Sequence, residues 1–496
     1  MRDHSQSANI SHRAKDALKT VPLWINGETT QSNPAITFPV HSAKQQKDVC
    51  IAQSADDSKA REACDAAMQA FEGWRKTSIA FRREILLRAA DAFESGKGEL
   101  VALQVEETSC EESWAHFNVN YAIINMREIA GSIASLFGEM PRVESESNVA
   151  MVFKEPVGPS LLISPWNAAV VLAVRGIASM LAAGCTVVFK ASEQCPQTHH
   201  FIGTIFAEVG LPNGALNIIQ CRRTDAPVVT ESLIAHEAIR KVEFIGSPNV
   251  GRAIGQLAGK YLKPVLMELG GKCPAIVLDD ANLEDAAAKC VRGAFMHHGQ
   301  ICFSTERIIV LDSVAERFIP LLKKAAEGFA PGSGVSEEIV SKAYAGLVEA
   351  QEKGATFLLG GPEYVKSAQL LPTIVTGVTK DMTIFDAESF GPSVSLYIAK
   401  NEEEAITMAN NSTYGLNASV HSTDMYRALR VAQRLEVGQV HVNSLTTYNE
   451  ATFPIGGTKG SGWGRNNSRF GIEQFIQLKT ISFNMKNTKI NFGSGG

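Results

Sequence analysis

Residues 157–174 read VGPSLLISPWNAAVVLAV, eighteen consecutive positions without a charge. That length approaches a membrane span. A lipid-exposed helix, however, would have to absorb Pro159, Pro165 and Asn167, and proline removes a backbone donor where no water can replace it. A buried strand over 160–163 that turns through a loop into a helix accommodates all three, so the stretch reads as the first strand and helix of an α/β sheet. Working outward, β-branched runs at 186–189, 216–219 and 241–245 alternate with helical spacing. This is the pattern of parallel strands joined by crossover helices. It resumes after Gly271 with 275–278 and 307–311, a helix through 315–326, and strands near 373–376 and 439–442. The expected fold class is α/β, with two doubly wound units in succession.

Upstream, residues 1–55 show little periodicity. Helical spacing then appears at Ala63, Ala67, Ala70 and Phe71, and again at Ile85, Leu86, Ala89 and Phe93, predicting two amphipathic helices within 56–117. Segments 141–153 and 475–483 alternate with no neighbouring helix. They read as protruding edge strands that pair with each other or with another subunit. The glycine-rich end at 493–496 reads as disordered.

With 496 residues, 45% hydrophobic and 20% charged, the chain has the composition of a globular protein of about three structural units. Its 47 Lys and Arg against 52 Asp and Glu leave a net charge of −5, which argues against a nucleic-acid partner. Nine scattered cysteines with no C-x-x-C pair argue against a disulfide framework and a zinc site, so no metal is expected. Residues 1–20 are polar and lack a signal-peptide core. A cytoplasmic location and no membrane association are expected.

Three residues carry candidate chemistry. Cys302 stands in Gly299-Gln300-Ile301-Cys302, after a helix expected to start near Leu283 and to end in His297, His298 and Gly299. Backbone N–H groups on such a turn favour a thiolate and can donate to an oxyanion, although a lone cysteine is more often an inert buried hydrophobe. Glu268 closes the apolar run Val265-Leu266-Met267, where a carboxylate needs a task or a partner such as a lysine. Asn167 follows the 160–163 strand, on the sheet edge where ligands collect, and could equally serve as a helix N-cap. On the same edge, Lys190 to Glu193 can take ribose hydroxyls, and Gly246 and Ser247, opening a helix, can meet a pyrophosphate. The usual G-x-G-x-x-G fingerprint is absent.

Together, seven motifs in order resemble the aldehyde dehydrogenase superfamily, from about Leu23 to Ser482: Pro165-Trp166-Asn167, 190–193, 244–250, 268–272, 299–302, Glu388-Ser389-Phe390-Gly391-Pro392 and PIGGTKGSGWGR at 454–465. The resemblance implies Cys302 as nucleophile, Glu268 as general base and Asn167 as oxyanion donor. It implies a cofactor site from Ser164, Pro165, Trp166, Lys190, Ser192, Glu193, Gly246, Ser247, Leu269, Gly270, Glu388 and Phe390. NAD is the expected cofactor, with NADP admitted because Lys190 sits beside Glu193. Residues 1–137 and 157–267 are expected to form the NAD-binding domain and 268–465 the catalytic domain. Residues 138–156 and 475–491 form the expected oligomerisation element of a homodimer or homotetramer. Ala191, Ile245 and Ile455 depart from the commonest family wording without removing a catalytic group.

Residues 167–175 and 297–307 are most similar to salicylaldehyde and vanillin dehydrogenases. A small aromatic or bulky apolar aldehyde is therefore the expected substrate, in a pocket built from Val171, Ile301, Phe303, Tyr448, Phe453 and Ile455 with no evident Arg or Lys. Two other readings stay open: a CoA-acylating enzyme that sends the thioester to a thiol, and a catalytically idle structural relative.

Overall fold

A computed structural model describes residues 18–33, 35–144 and 148–485. The expectations for 1–17, for the far end of the oligomerisation element at 486–491 and for 493–496 lie outside the described residues.

The stretch 157–174 is a strand, Ser160–Ile163, a loop, and a helix, Ala169–Ala183. No described helix is long and apolar enough to cross a membrane. Every residue of that helix is buried, which accounts for the missing charges: it lies between the sheet and the long helix Glu112–Ser132 and has no solvent face. The strand occupies the middle of an eight-stranded sheet in the order Gly462–Trp463, Val265–Glu268, Lys241–Ile245, Ser160–Ile163, Val187–Lys190, Leu216–Ile219, Leu23–Ile25, Glu28–Thr30. The five strands from Val265–Glu268 to Leu216–Ile219 are mutually parallel. From Ser160–Ile163 the chain winds outward to Leu216–Ile219, then crosses back to place Lys241–Ile245 on the other side. The order therefore reverses beside Ser160–Ile163, the kind of switch point at which α/β sheets take ligands at the carboxyl ends of their strands.

A second sheet has seven strands in the order Thr356–Leu359, Thr373–Thr376, Ser393–Ala399, Thr305–Leu311, Cys273–Val277, Asn417–His421, Gln439–Val442. All neighbours in it are parallel except the edge strand Thr356–Leu359. Asn148–Pro156 pairs antiparallel with Ile476–Asn484 over nine positions, as the alternation in both segments predicts.

The amino-terminal region differs from expectation in two ways. Residues 20–53 hold five short strands, from Thr20–Val21 to Lys47–Gln53, several of them two or three residues long, too short to show alternation. Residues 57–132 form four helices rather than two: Asp57–Trp74, Ile79–Ser95, Lys97–Thr108 and Glu112–Ser132. Their breaks are local. Ser78 caps the second helix by accepting from Phe81 N, and Ser109 ends the third in the left-handed region at φ 58°.

Candidate active site

The helix Leu283–Phe295 stops four residues before Gly299, short of its expected end. A tight turn over Met296–Gly299 follows, in which His297 and His298 have φ of 51° and 57° and Gly299 of 72°. Gly299 is required by packing as well as by its angle, since a Cβ there would lie 2.0 Å from the Gly391 carbonyl oxygen. Gln300 locks the next step. Its side chain donates to the carbonyls of His297 and Ser333 and accepts from Val335 N, at 3.0–3.2 Å. This anchoring presents Cys302 to a narrow cavity of about 60 Å³. Of the nine cysteines, all unpaired, only Cys302 is not fully buried.

Glu268, the last residue of its strand, brings Oε1 to 3.9 Å from Cys302 Sγ. Its other oxygen accepts from Arg175 Nη2 at 2.7 Å, both side chains being almost wholly buried. The partner is thus an arginine from the buried helix, where a lysine was expected. Removal from water, with the Glu268 and Glu388 carboxylates adding to it, pushes the Cys302 thiol well above its usual range. The N–H groups of the turn favour a thiolate, but burial and two acids outweigh them, and the thiol needs a base at the moment of attack. Asn167 Nδ2 donates to the Gln300 carbonyl at 3.0 Å, and the Asn167 backbone carbonyl accepts from Trp114 Nε1 at 2.9 Å. The residue is thus fixed through both its side chain and its backbone. The second N–H hydrogen of the side-chain amide remains for a ligand.

The expected cofactor residues gather along one edge. Ser164, Pro165 and Trp166 follow Ser160–Ile163; Lys190 ends its strand, with Ser192 and Glu193 just beyond; Gly246 and Ser247 follow Lys241–Ile245; Leu269 and Gly270 follow Val265–Glu268. Ser247 caps the helix Pro248–Lys260, whose amino-terminal N–H groups suit an anion. Ser164 Oγ is buried with no partner among the described residues. Glu388 reaches this edge from the second sheet and accepts from Gly271 N at 3.2 Å; burial raises its carboxyl to about 8. A Cβ on Gly270 would lie 2.0 Å from Glu388 Oε2, so glycine is what admits the carboxylate. Phe390, at φ 48°, meets Trp166 edge-on at 5.9 Å. Sequence reasoning missed the support behind this loop. Glu306 accepts from Ser389 N and Oγ and from Phe390 N, while Lys272 Nζ bridges Glu306 and the Ala387 carbonyl.

Of the expected pocket residues, Val171, Ile301, Phe303 and Ile455 line the cavity at Cys302. Tyr448 lines only a wider outer cavity, its hydroxyl donating to Glu450 at 2.6 Å. Phe453 lines neither and packs edge-on against Tyr448. The principal wall was missed: Trp114, Phe117 and Tyr121 project from one helix and border both cavities. Phe117 and Tyr121 stack at 5.6 Å, and Trp114 stacks on His297 at 4.5 Å. Their i, i+3, i+7 spacing was a readable signal of a single aromatic stripe. Arg175 also reaches the cavity, correcting the expectation of no Arg or Lys, although Glu268 engages it.

A family model described as the aldehyde dehydrogenase family matches residues 29–481. The chain belongs to the aldehyde dehydrogenase family. Vanillin dehydrogenase of Pseudomonas fluorescens is 38% identical to this aldehyde dehydrogenase over 472 residues, 93% of this chain and 97% of that protein. The crystal structure of a salicylaldehyde dehydrogenase from Pseudomonas putida G7 complexed with salicylaldehyde superposes with a TM-score of 0.92 at 36% identity, covering 96% of this chain and 100% of that one. The NAD+ complex of an aldehyde dehydrogenase from Bacillus cereus superposes at 0.90 with 29% identity, covering 94% and 97%.

Proposed function

We propose that this aldehyde dehydrogenase oxidises aromatic or other bulky apolar aldehydes to carboxylic acids, with NAD preferred over NADP. The observation that carries the reading is Cys302, set 3.9 Å from Glu268 in a cavity walled by Trp114, Phe117 and Tyr121. Glu268 takes the Sγ proton as sulfur adds to the carbonyl carbon, forming the C–S bond. The oxyanion accepts from the free Asn167 N–H and from the Cys302 backbone N–H. As the oxyanion collapses, the C–H electron pair leaves as hydride and a thioester remains on Cys302. A nicotinamide dinucleotide, when bound, supplies the hydride acceptor. Glu268 releases that proton to solvent and then takes one from water, whose oxygen attacks the thioester; the C–S bond breaks, the sulfur recovers a proton from Glu268 and the acid departs.

The residues fit that cofactor. The switch point, the capped helix, the unpartnered Ser164 hydroxyl and the Gly270–Glu388 approach supply anion and ribose contacts on one edge. The allocation of 1–137 and 157–267 to the dinucleotide and of 268–465 to catalysis belongs to the same proposal. So does the role of 138–156 and 475–491 in joining subunits as a homodimer or homotetramer, supported by Leu478, Ile481 and Phe483 exposed on the strand pair. Nine unpaired thiols support a cytoplasmic setting. The test is NADH absorbance with NAD and a panel of aldehydes, with and without CoA. Dependence on CoA would replace water by a thiol as the acceptor; no activity with any aldehyde would overturn the reading.

A further inference from the structure

Glu243 lies in the middle of the strand Lys241–Ile245 and is fully buried. Glu268 pairs with Ile245 across the neighbouring strand, and Glu243 is two residues from Ile245. The two carboxylates therefore project from the same face of the sheet, with Cα atoms separated by about 8 Å along the diagonal. The helix Ala169–Ala183 packs on that face and comes closest at Gly176, where a Cβ would stand 3.1 Å from Glu243 Oε2. Arg175 precedes it and donates to Glu268. Asn466 Nδ2 donates to Glu243 Oε1 at 3.0 Å. Glu243 Oε2, Arg175 Nε and Asn466 Oδ1 are buried without a hydrogen-bond partner among the described residues.

We infer that Glu243 is a positioning residue for the base: buried on the sheet face that carries the Arg175–Glu268 pair, its charge sets how strongly Glu268 draws a proton from water. The inference rests on Glu268 being the general base. With Glu243 protonated, the guanidinium charge acts on Glu268 with nothing to offset it. With Glu243 ionised, a second negative charge stands behind the pair, and Glu268 is the stronger acceptor. Burial raises Glu243 to about 7, against the pull of Arg175 and the Asn466 bond. Glu268 adds to the rise, and Lys241, on the same strand, lowers it. Across the other neighbouring strand, Glu243 faces the uncharged Leu162. The change of state therefore falls near neutrality, and thioester hydrolysis quickens as pH rises through it.

The experiment measures steady-state turnover and the NADH burst across the neutral range, with NAD and an aldehyde that the enzyme turns over with a burst. The wild type shows a rise in turnover of about three- to tenfold. E243Q keeps the burst and loses the rise, remaining on the low plateau, while E243D retains it. N466A, which removes a bond to the ionised carboxylate, moves the rise to higher pH, and this variant decides the matter if E243Q does not fold. A rise that persists unmoved in the folded variants, with bursts intact, overturns the inference. A wild type without activity toward any aldehyde overturns the underlying reading instead.

Discussion

Gly270→Ala tests the cofactor edge without touching a charged group. Gly270 is outside the positive-φ region, so the backbone accepts alanine. The added methyl, however, meets Glu388 Oε2 at 2.0 Å and its carboxyl carbon at 2.5 Å. Ordinary contact begins near 3.4 Å, so the carboxylate must retreat by about 1.4 Å, enough to break its bond from Gly271 N. If Glu388 accepts from a ribose of the dinucleotide, then above about pH 8, where it is ionised, losing one hydrogen bond to a charged group costs about 1.5–3 kcal/mol, roughly ten- to 150-fold in Kd. Titration calorimetry with NAD reads this directly. Thermal unfolding should change little. The decisive control is a double-mutant cycle: in a Glu388→Ala background the Gly270→Ala change should have almost no further effect on NAD affinity. Wild-type affinity in Gly270→Ala, or full additivity with Glu388→Ala, would refute the assignment of Glu388 to the cofactor.

Other outcomes follow from the same geometry. Cys302→Ser should abolish aldehyde oxidation while leaving NAD binding intact, and oxidation at near wild-type rate would remove Cys302 from the mechanism. Because Glu388 is raised to about 8 by burial, it is mostly protonated at neutral pH and ionises above that value. NAD affinity should therefore strengthen as pH rises through about 8, and Glu388→Gln should flatten that dependence when binding is measured at each pH. Glu193→Gln should raise kcat/KM with NADP relative to NAD, because a carboxylate beside the adenosine ribose repels a 2′-phosphate; an unchanged ratio counts against that placement. Benzaldehyde-type substrates should exceed acetaldehyde and succinic semialdehyde in kcat/KM by about tenfold or more, and a profile won by either small aldehyde sinks the aromatic assignment.

The central architecture was legible because its signals are local. Four- or five-residue runs rich in apolar and β-branched residues, separated by helical spacing, mark parallel strands buried on both faces, and Ser160–Ile163, Leu216–Ile219, Lys241–Ile245 and Gln439–Val442 sit where the runs place them. The strand pair at Asn148–Pro156 and Ile476–Asn484 was legible for the opposite reason: residue alternation with no helix beside it, in strands that stay largely outside the core. What escaped notice depends on distant partners. Ser393–Ala399 and Asn417–His421 carry serines and a histidine within buried strands, and only their sheet neighbours supply the context that makes them strands. Cys302, Glu268 and Asn167 were readable as candidates from short motifs. Lys272 and Glu306 lie 34 positions apart, and their buried pairing beneath the Glu388 loop exists only after the second sheet has formed.

Arg175 shows how the fold makes an exception chemically meaningful. In a helix with every residue buried, an unpaired guanidinium would be prohibitively costly, so its retention requires a fixed acidic partner. Glu268 supplies one at 2.7 Å, and the pairing occupies one carboxylate oxygen while leaving Oε1 directed at Cys302. A pair of this kind is a poor source of stability, since desolvation offsets most of the Coulombic gain. Its value here is orientation. Without the arginine, Glu268 Oε2 would be left as a buried acceptor lacking its partner, and the side chain would lose the anchor that directs Oε1 at Cys302. The same constraint explains why the aromatic stripe Trp114, Phe117 and Tyr121 can wall the cavity closely: the one charge facing that space is already neutralised by its partner, so an apolar substrate entering it displaces water from aromatic surface without having to desolvate a free ion.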